Sequence, residues 1–235
     1  PSFDVDGIDA AHKLTILAAI AFGHKPDFNA VSIQGIRDVS SVDFTYANQL
    51  GFRIKLVGVA EPGLMPRMQT CLLPLASQLA KVNGVLNAVE FHGEPIGSVL
   101  AVGPGAGGGA TSSAVLSDLI DIAAGRGGLP FGRSINVLVD ANAVKNCAGP
   151  DKPFYVRLMV VDQPGVLATL TGILKKHSIS VEGLLQQGRA PGNAVALVMT
   201  THETSVANLG IALDEMEKLP IVKAKPVAMP IMLAD

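Results

Sequence analysis

The sequence predicts an α+β fold in two parts: a mixed-sheet domain over residues 1–149, then a ferredoxin-like βαββαβ unit over residues 150–235. Three observations lead there. Apolar residues make up 49% of the 235-residue chain and charged residues only 16%, enough to fill a sizeable core and to argue against disorder. Residues 146–153 (NCAGPDKP) form a break rich in Gly, Pro and Asp, which places a boundary near residue 150. Beyond it, strand and helix periodicities alternate as β, α, β, β, α, β in about 80 residues, the ferredoxin-like order.

The first predicted helix covers residues 8–23. Leu14, Leu17, Ala18 and Ala21 recur at helical spacing, and Gly23 with Pro26 supplies a stop. Ile16, Ile20 and Phe22 make it apolar nearly all round, so it is expected to be buried. A short strand is predicted at 29–33 and a helix at 42–50, opened by Ser40 or Ser41 and closed by Gly51. Strand-like runs follow at 53–60, 68–73, 85–91 and 97–102. After a glycine-rich loop comes a helix at 111–124, then turn material (GRGGLPFGRS). In the second part, strands are predicted at 154–161, 180–187, 193–200 and 222–229, with helices at 165–177 and 205–219. The middle two strands make a hairpin around RAPG.

Composition excludes several classes. The net charge is −2, from 18 basic and 20 acidic residues, and eight Phe, two Tyr and no Trp give no basic face with interleaved aromatics. Nucleic acid is not an expected partner. Apolar runs such as LTILAAIAFG are too short to span a bilayer, so no membrane partner is expected either. Cys71 and Cys147 lie far apart without metal-type spacing and read as reduced thiols of a cytoplasmic protein. His12, His24, His92, His177 and His202 are scattered, and no metal site is expected. The chain starts at Pro1 and carries no signal-peptide pattern. It reads as the remainder of a longer polypeptide.

The run DVDGIDAAHK carries the candidate chemistry. Asp9 and Lys13, four apart, share one face of the predicted helix. Asp4 and Asp6 lie on the chain leading into it, and Gly7 lets that chain turn sharply. Two readings are open from the residues. Acids favour helix N-termini and pair with lysine at this spacing on ordinary surfaces. Alternatively, a polar cluster at the mouth of so apolar a helix borders a cleft, where a lysine among carboxylates is a candidate proton carrier.

PSFDVDGIDAAHKLTILAAIAFG closely resembles the signature of homoserine dehydrogenases, in which a D-V-x-G-x-D-x-x-x-K run closes the catalytic motif. LGFRIKLVGVA, the CLLP stretch with NGVLNAVEF, and GPGAGGGATSSAVLSDL look like the same family in the expected order, so the resemblance covers essentially the whole chain. It implies that Lys13 is the general acid/base, that Asp9 is its polar partner, and that Asp4 contacts the substrate amino or hydroxyl group. Position 6 is permissive in the motif, and no role passes to Asp6. The implied reaction is NAD- or NADP-dependent interconversion of L-homoserine and L-aspartate 4-semialdehyde, on the route to threonine, methionine and isoleucine. Family members also carry an N-terminal dinucleotide-binding domain and a catalytic glutamate before the first motif proline. Without them the chain is not expected to turn over alone. The implied assembly is a homodimer or homotetramer, built through the strands at 53–60 and 85–91. The rival reading is a non-catalytic amino-acid-binding regulator whose acid–lysine cluster is structural.

The run Gly103-Pro-Gly105-Ala-Gly107-Gly108 fits G-x-G-x-x-G between a strand and a helix. No second strand ending in an acid follows about 20 residues on, as a self-contained dinucleotide unit requires. A tight turn with close backbone packing remains one reading. The family resemblance adds another, in which the loop lies near the nicotinamide and phosphates and Gly105 and Gly107 make minor cofactor contacts. In the second part, VVDQPGVLATLTGILKKHSISVEGLLQQ resembles an ACT domain, a small amino-acid-sensing module. Asp162, Gly165, Val166 and Gln186 fall at its ligand landmarks, and the effector implied is L-threonine. A degenerate module that only pairs is the alternative.

Overall fold

The computed structural model describes residues 2–140, 149–188 and 190–233. Residues 146–148 of the 146–153 break, Cys147 among them, and Arg189 of the RAPG turn lie outside the described residues.

The first part opens with a short helix α1 (Ser2–Val5). It turns at Gly7, left-handed at φ 77°, into α2 (Ile8–Phe22), which ends at left-handed Gly23. A 3-10 turn Phe28–Ala30 follows, capped by the Asp27 side chain accepting from the Asn29 N–H, before β1 (Ser32–Ile33). The strand expected at 29–33 is therefore only two residues long, because the Asp27 cap bends the chain first. Then come α3 (Ser41–Gln49), β2 (Phe52–Val59) and β3 (Arg67–Pro74). The sheet runs β1-β3-β2, with β1 parallel and β2 antiparallel to β3, and so is mixed as predicted.

Alternation along β3 sets its two faces. Met68 and Leu72 point to one face, where α2 covers Met68 and Leu56 while α3 covers Leu72 and Ile54. Cys71 and Leu73 point to the other, against Ala80 and Val57. The expectation that α2 is buried all round fails. Its buried residues are Ala11, Thr15, Ala18 and Ala19, while Ile16 and Ile20 are about half exposed. Small side chains let the helix lie close to the sheet, and among the described residues nothing covers its Ile16 and Ile20 side.

A hairpin of β4 (Leu86–Gly93) and β5 (Gly97–Pro104) leads into α4 (Gly108–Ala123). No residue of these three elements is buried, and Phe91, Val102 and Leu119 are each about half exposed. α2 and α3 cover one face of β2, so the exposed apolar strand surface of this part lies mainly on the hairpin.

The second part is β6 (Phe154–Val161), α5 (Val166–Lys176), β7 (Val181–Gln186), β8 (Ala194–Thr201), α6 (Val206–Glu217) and β9 (Val227–Pro230). The sheet order β7-β8-β6-β9 is antiparallel throughout, the predicted ferredoxin-like arrangement. The last strand is shorter than predicted. Val222 makes only an isolated bridge to Val160, and pairing resumes after Pro226, which has no N–H to give a ladder. Val156, Leu158 and Val160 face α5 and α6, packing on Leu170, Leu174 and Met216. The opposite face packs on the first part: Tyr155, Val198 and Met229 share one cluster with Tyr46, Ile54 and Leu72. The Met232 N–H donates to the Leu72 carbonyl at 2.9 Å. Among the described residues no helix is long and apolar enough to cross a membrane.

Candidate active site

Lys13 and Asp9 stand one turn apart on α2, and Lys13 Nζ lies 2.6 Å from Asp9 Oδ2. Asp4 is exposed on α1. Left-handed Gly7 turns α1 onto α2 beside Ile33 and Leu56, which a Cβ at this position would meet at 3.5 Å, and so fixes where the motif lies on the sheet. The ring of His12 stacks between Phe3 and Phe28, at 5.9 and 4.0 Å, and holds α1 against α2. The expected cleft is not formed among the described residues. The Lys13 and Asp9 side chains are 59% and 42% exposed. A cavity of about 400 Å³ between the two parts is lined by Phe52, Glu182, His202 and Ile231, not by the pair. Walls for the cluster would have to come from outside these residues.

Asp6, given no role from sequence, is held by Arg37. The Arg37 Nε and Nη2 both donate to its carboxylate, the latter at 2.9 Å, and this grip keeps the Asp6 carboxyl below the usual range. The partner is 31 residues away, so nothing local revealed it.

The larger omission is Asp43. It is fully buried at the start of α3, where Oδ2 accepts from the Ser40 N–H at 2.8 Å and the Ser40 hydroxyl at 2.9 Å. Its Oδ1 accepts from Arg157 Nε at 2.7 Å and from the Tyr155 hydroxyl at 2.9 Å, both on β6. Burial, and next the Asp43 charge, push the Tyr155 phenol well above its usual range. The Ser40-x-x-Asp43 spacing of a capping box was visible in sequence, but its partners across the fold were not.

At the glycine loop, α4 starts from Gly107 at φ 113°. The Gly105 N–H is already given to the Val85 carbonyl at 2.9 Å, and a side chain at 105 would displace the Asn87 amide. Gly105 is thus placed by backbone packing, and only the amides that open α4 face outward.

In the second part, Gly165 is left-handed (φ 89°) and opens α5 with clear space around it. Val166 buries its side chain in the core, which leaves its N–H for any ligand. Asp162 accepts from the Ala190 N–H at 2.8 Å and so also holds the β7–β8 loop. Gln186 is exposed at the end of the edge strand β7.

Cys71 is fully buried, and desolvation pushes its thiol up to about 12. The thiolate is the reactive form, so the peptide carrying Cys71 should resist iodoacetamide at pH 8 and label only on unfolding. Rapid labelling of that peptide in the native state would contradict this packing.

The homoserine dehydrogenase family model matches residues 1–120, and the ACT domain model matches residues 154–221. The chain is 36% identical to the homoserine dehydrogenases of Pseudomonas aeruginosa and Neisseria gonorrhoeae, covering 96% and 97% of this chain but 55% and 54% of theirs. A solved homoserine dehydrogenase from Thiobacillus denitrificans superposes with a TM-score of 0.78 at 35% identity, over 99% of this chain and 54% of that one. The chain thus spans about half the length of the relatives it matches. It belongs to the homoserine dehydrogenase family and carries an ACT domain in its second part.

Proposed function

We propose that this chain supplies the substrate-binding, proton-transfer and regulatory parts of an NAD(P)-dependent homoserine dehydrogenase, divided into a catalytic and dimerisation domain at 1–149 and an ACT domain at 150–235. The observation that carries the reading is the Lys13–Asp9 pair at 2.6 Å on a helix that Gly7 sets against the sheet, in a chain of this family. Oxidising the C4 alcohol of L-homoserine to L-aspartate 4-semialdehyde removes a hydride from carbon and a proton from oxygen. The nicotinamide cofactor, held mainly by the part of the polypeptide outside this chain, supplies the hydride acceptor. Lys13 takes the hydroxyl proton in that direction and returns it in the other. Asp9 orients the Lys13 amine, and Asp4 with Asp9 meets the ammonium end of the substrate. The amides opening α4, beside Gly105 and Gly107, suit an edge contact to an anionic cofactor rather than a complete nucleotide site, because among the described residues no acid-tipped strand follows the loop about 20 residues on. The setting is the cytoplasm, which suits a reduced, buried Cys71.

The full-length polypeptide is expected to reduce NAD⁺ or NADP⁺ only when L-homoserine is added, and the 235-residue chain to be inactive alone. A folded full-length protein without homoserine-dependent reduction would remove the reading.

For the ACT domain the proposed effector is L-threonine. The amides at Gly165 and Val166 take its carboxylate, Asp162 its ammonium, and Gln186 of the edge strand its polar groups. Isothermal titration should show binding of L-threonine and rejection of L-valine, since each unpaired buried group costs roughly 1–3 kcal/mol. Absence of heat with millimolar threonine on a folded chain would leave this domain a pairing device.

The chain is also expected to pair with a second copy through the exposed β4–β5 hairpin, as a homodimer or a pair of dimers. Its two-stranded ribbon leaves Phe91 and Val102 half exposed. Sedimentation at micromolar concentration should show at least a dimer, and a clean monomer would contradict it.

A further inference from the structure

Segment 34–43 lies between the ACT sheet and the Lys13 motif and is fastened at both ends. At the ACT end, the Arg157 guanidinium holds this segment at two points: Nε on Asp43, and Nη2 on the Asp38 carbonyl at 3.1 Å. Its side chain is 9% exposed and that of Asp43 is 0% exposed, so the grip is shielded from water. At the motif end, the Ile36 N–H donates to the Val5 carbonyl at 2.9 Å, and Arg37 holds Asp6 with two nitrogens. Gly35 lies so close that a Cβ there would meet the Val5 carbonyl oxygen at 2.4 Å and the Asp6 Cα at 2.7 Å. That is contact of backbone with backbone, which no side-chain rotation relieves. In between, the Gln34 N–H and the Gly35 carbonyl are tied to β3 through the Met68 carbonyl and the Thr70 hydroxyl. Val5 and Asp6 are the residues between Asp4 and the Gly7 turn that aims Asp9 and Lys13. A displacement of this strap therefore displaces the motif.

We propose that Arg157, Asp43 and Arg37 are positioning residues for the Lys13 motif, so that β6 of the ACT domain is a structural support of the site in the same chain. The idea rests on the homoserine dehydrogenase reading above for its activity test, but its structural half can be measured without activity. In the 235-residue chain, Arg157→Lys keeps the charge and loses the fork, and Arg37→Met touches only the exposed end. Both should speed hydrogen exchange at the Ile36 and Gly7 amides while the α5 and α6 amides stay protected. Unchanged exchange at Ile36 and Gly7 in both variants would overturn the strap.

In the full-length polypeptide, Arg37→Met and Arg157→Lys should each lower kcat by about tenfold to a hundredfold with the KM for the nicotinamide cofactor unchanged. The double variant should be no worse than the poorer single, because both act through one segment. Effects that multiply, or kcat values unchanged while melting falls, would mean that the network holds the fold and does not position the motif. Wild-type protein without turnover would instead sink the dehydrogenase reading, and the exchange result would stand by itself.

Discussion

Lys13→Ala in the full-length polypeptide is expected to cut kcat for homoserine oxidation by a factor on the order of 10²–10⁴, the usual worth of a positioned acid/base. The KM for the cofactor should change far less, because the role proposed for the side chain is proton transfer and not cofactor binding. The fold should not suffer. The Lys13–Asp9 pair is an exposed ion pair, and such pairs contribute little to stability. Loss of turnover with an unchanged melting curve is thus the expected signature, and near-normal turnover at neutral pH would remove Lys13 from the mechanism.

Asp43→Ala should have the opposite signature, a large loss of stability. It leaves Arg157 buried without its carboxylate and takes acceptors from the Tyr155 hydroxyl and the Ser40 N–H together. Removing one partner of a buried pair costs about 3–5 kcal/mol, a large part of a typical total of roughly 5–15 kcal/mol. For a chain of this size that is a fall in Tm of about 6–20 °C. Because Tyr155, Val198 and Met229 share a core with Tyr46 and Leu72, both parts should melt together, in one transition. A variant that melts like the wild type would show that the pair contributes nothing net.

Much of the fold was legible because its signals are local. β6 has the predicted bounds, and most other elements start or stop within three residues of them, since Gly23, Gly51 and Gly165 punctuate the chain where the helices end or begin. The acid–lysine pair was legible for the same reason, being one helical turn long. What was missed is non-local. Arg37 reaches Asp6 across 31 residues, and Arg157 reaches Asp43 across 114. The apolar wrap of α2 misled because periodicity reports which faces avoid water in the finished assembly. Among the described residues the side of α2 that carries Ala11, Leu14, Ala18 and Ala19 has its partner present, while Ile16 and Ile20 stay about half exposed.

The proton carrier itself is most directly tested by chemical rescue. Lys13→Ala, in the full-length polypeptide with saturating cofactor, would be assayed for homoserine oxidation with methylamine added. If the Lys13 amine carries the hydroxyl proton, the rate should rise in proportion to the free amine, while the wild type and a Lys13→Arg variant do not respond. A Lys13→Ala protein that binds L-homoserine normally, stays inactive and ignores methylamine would contradict the assignment.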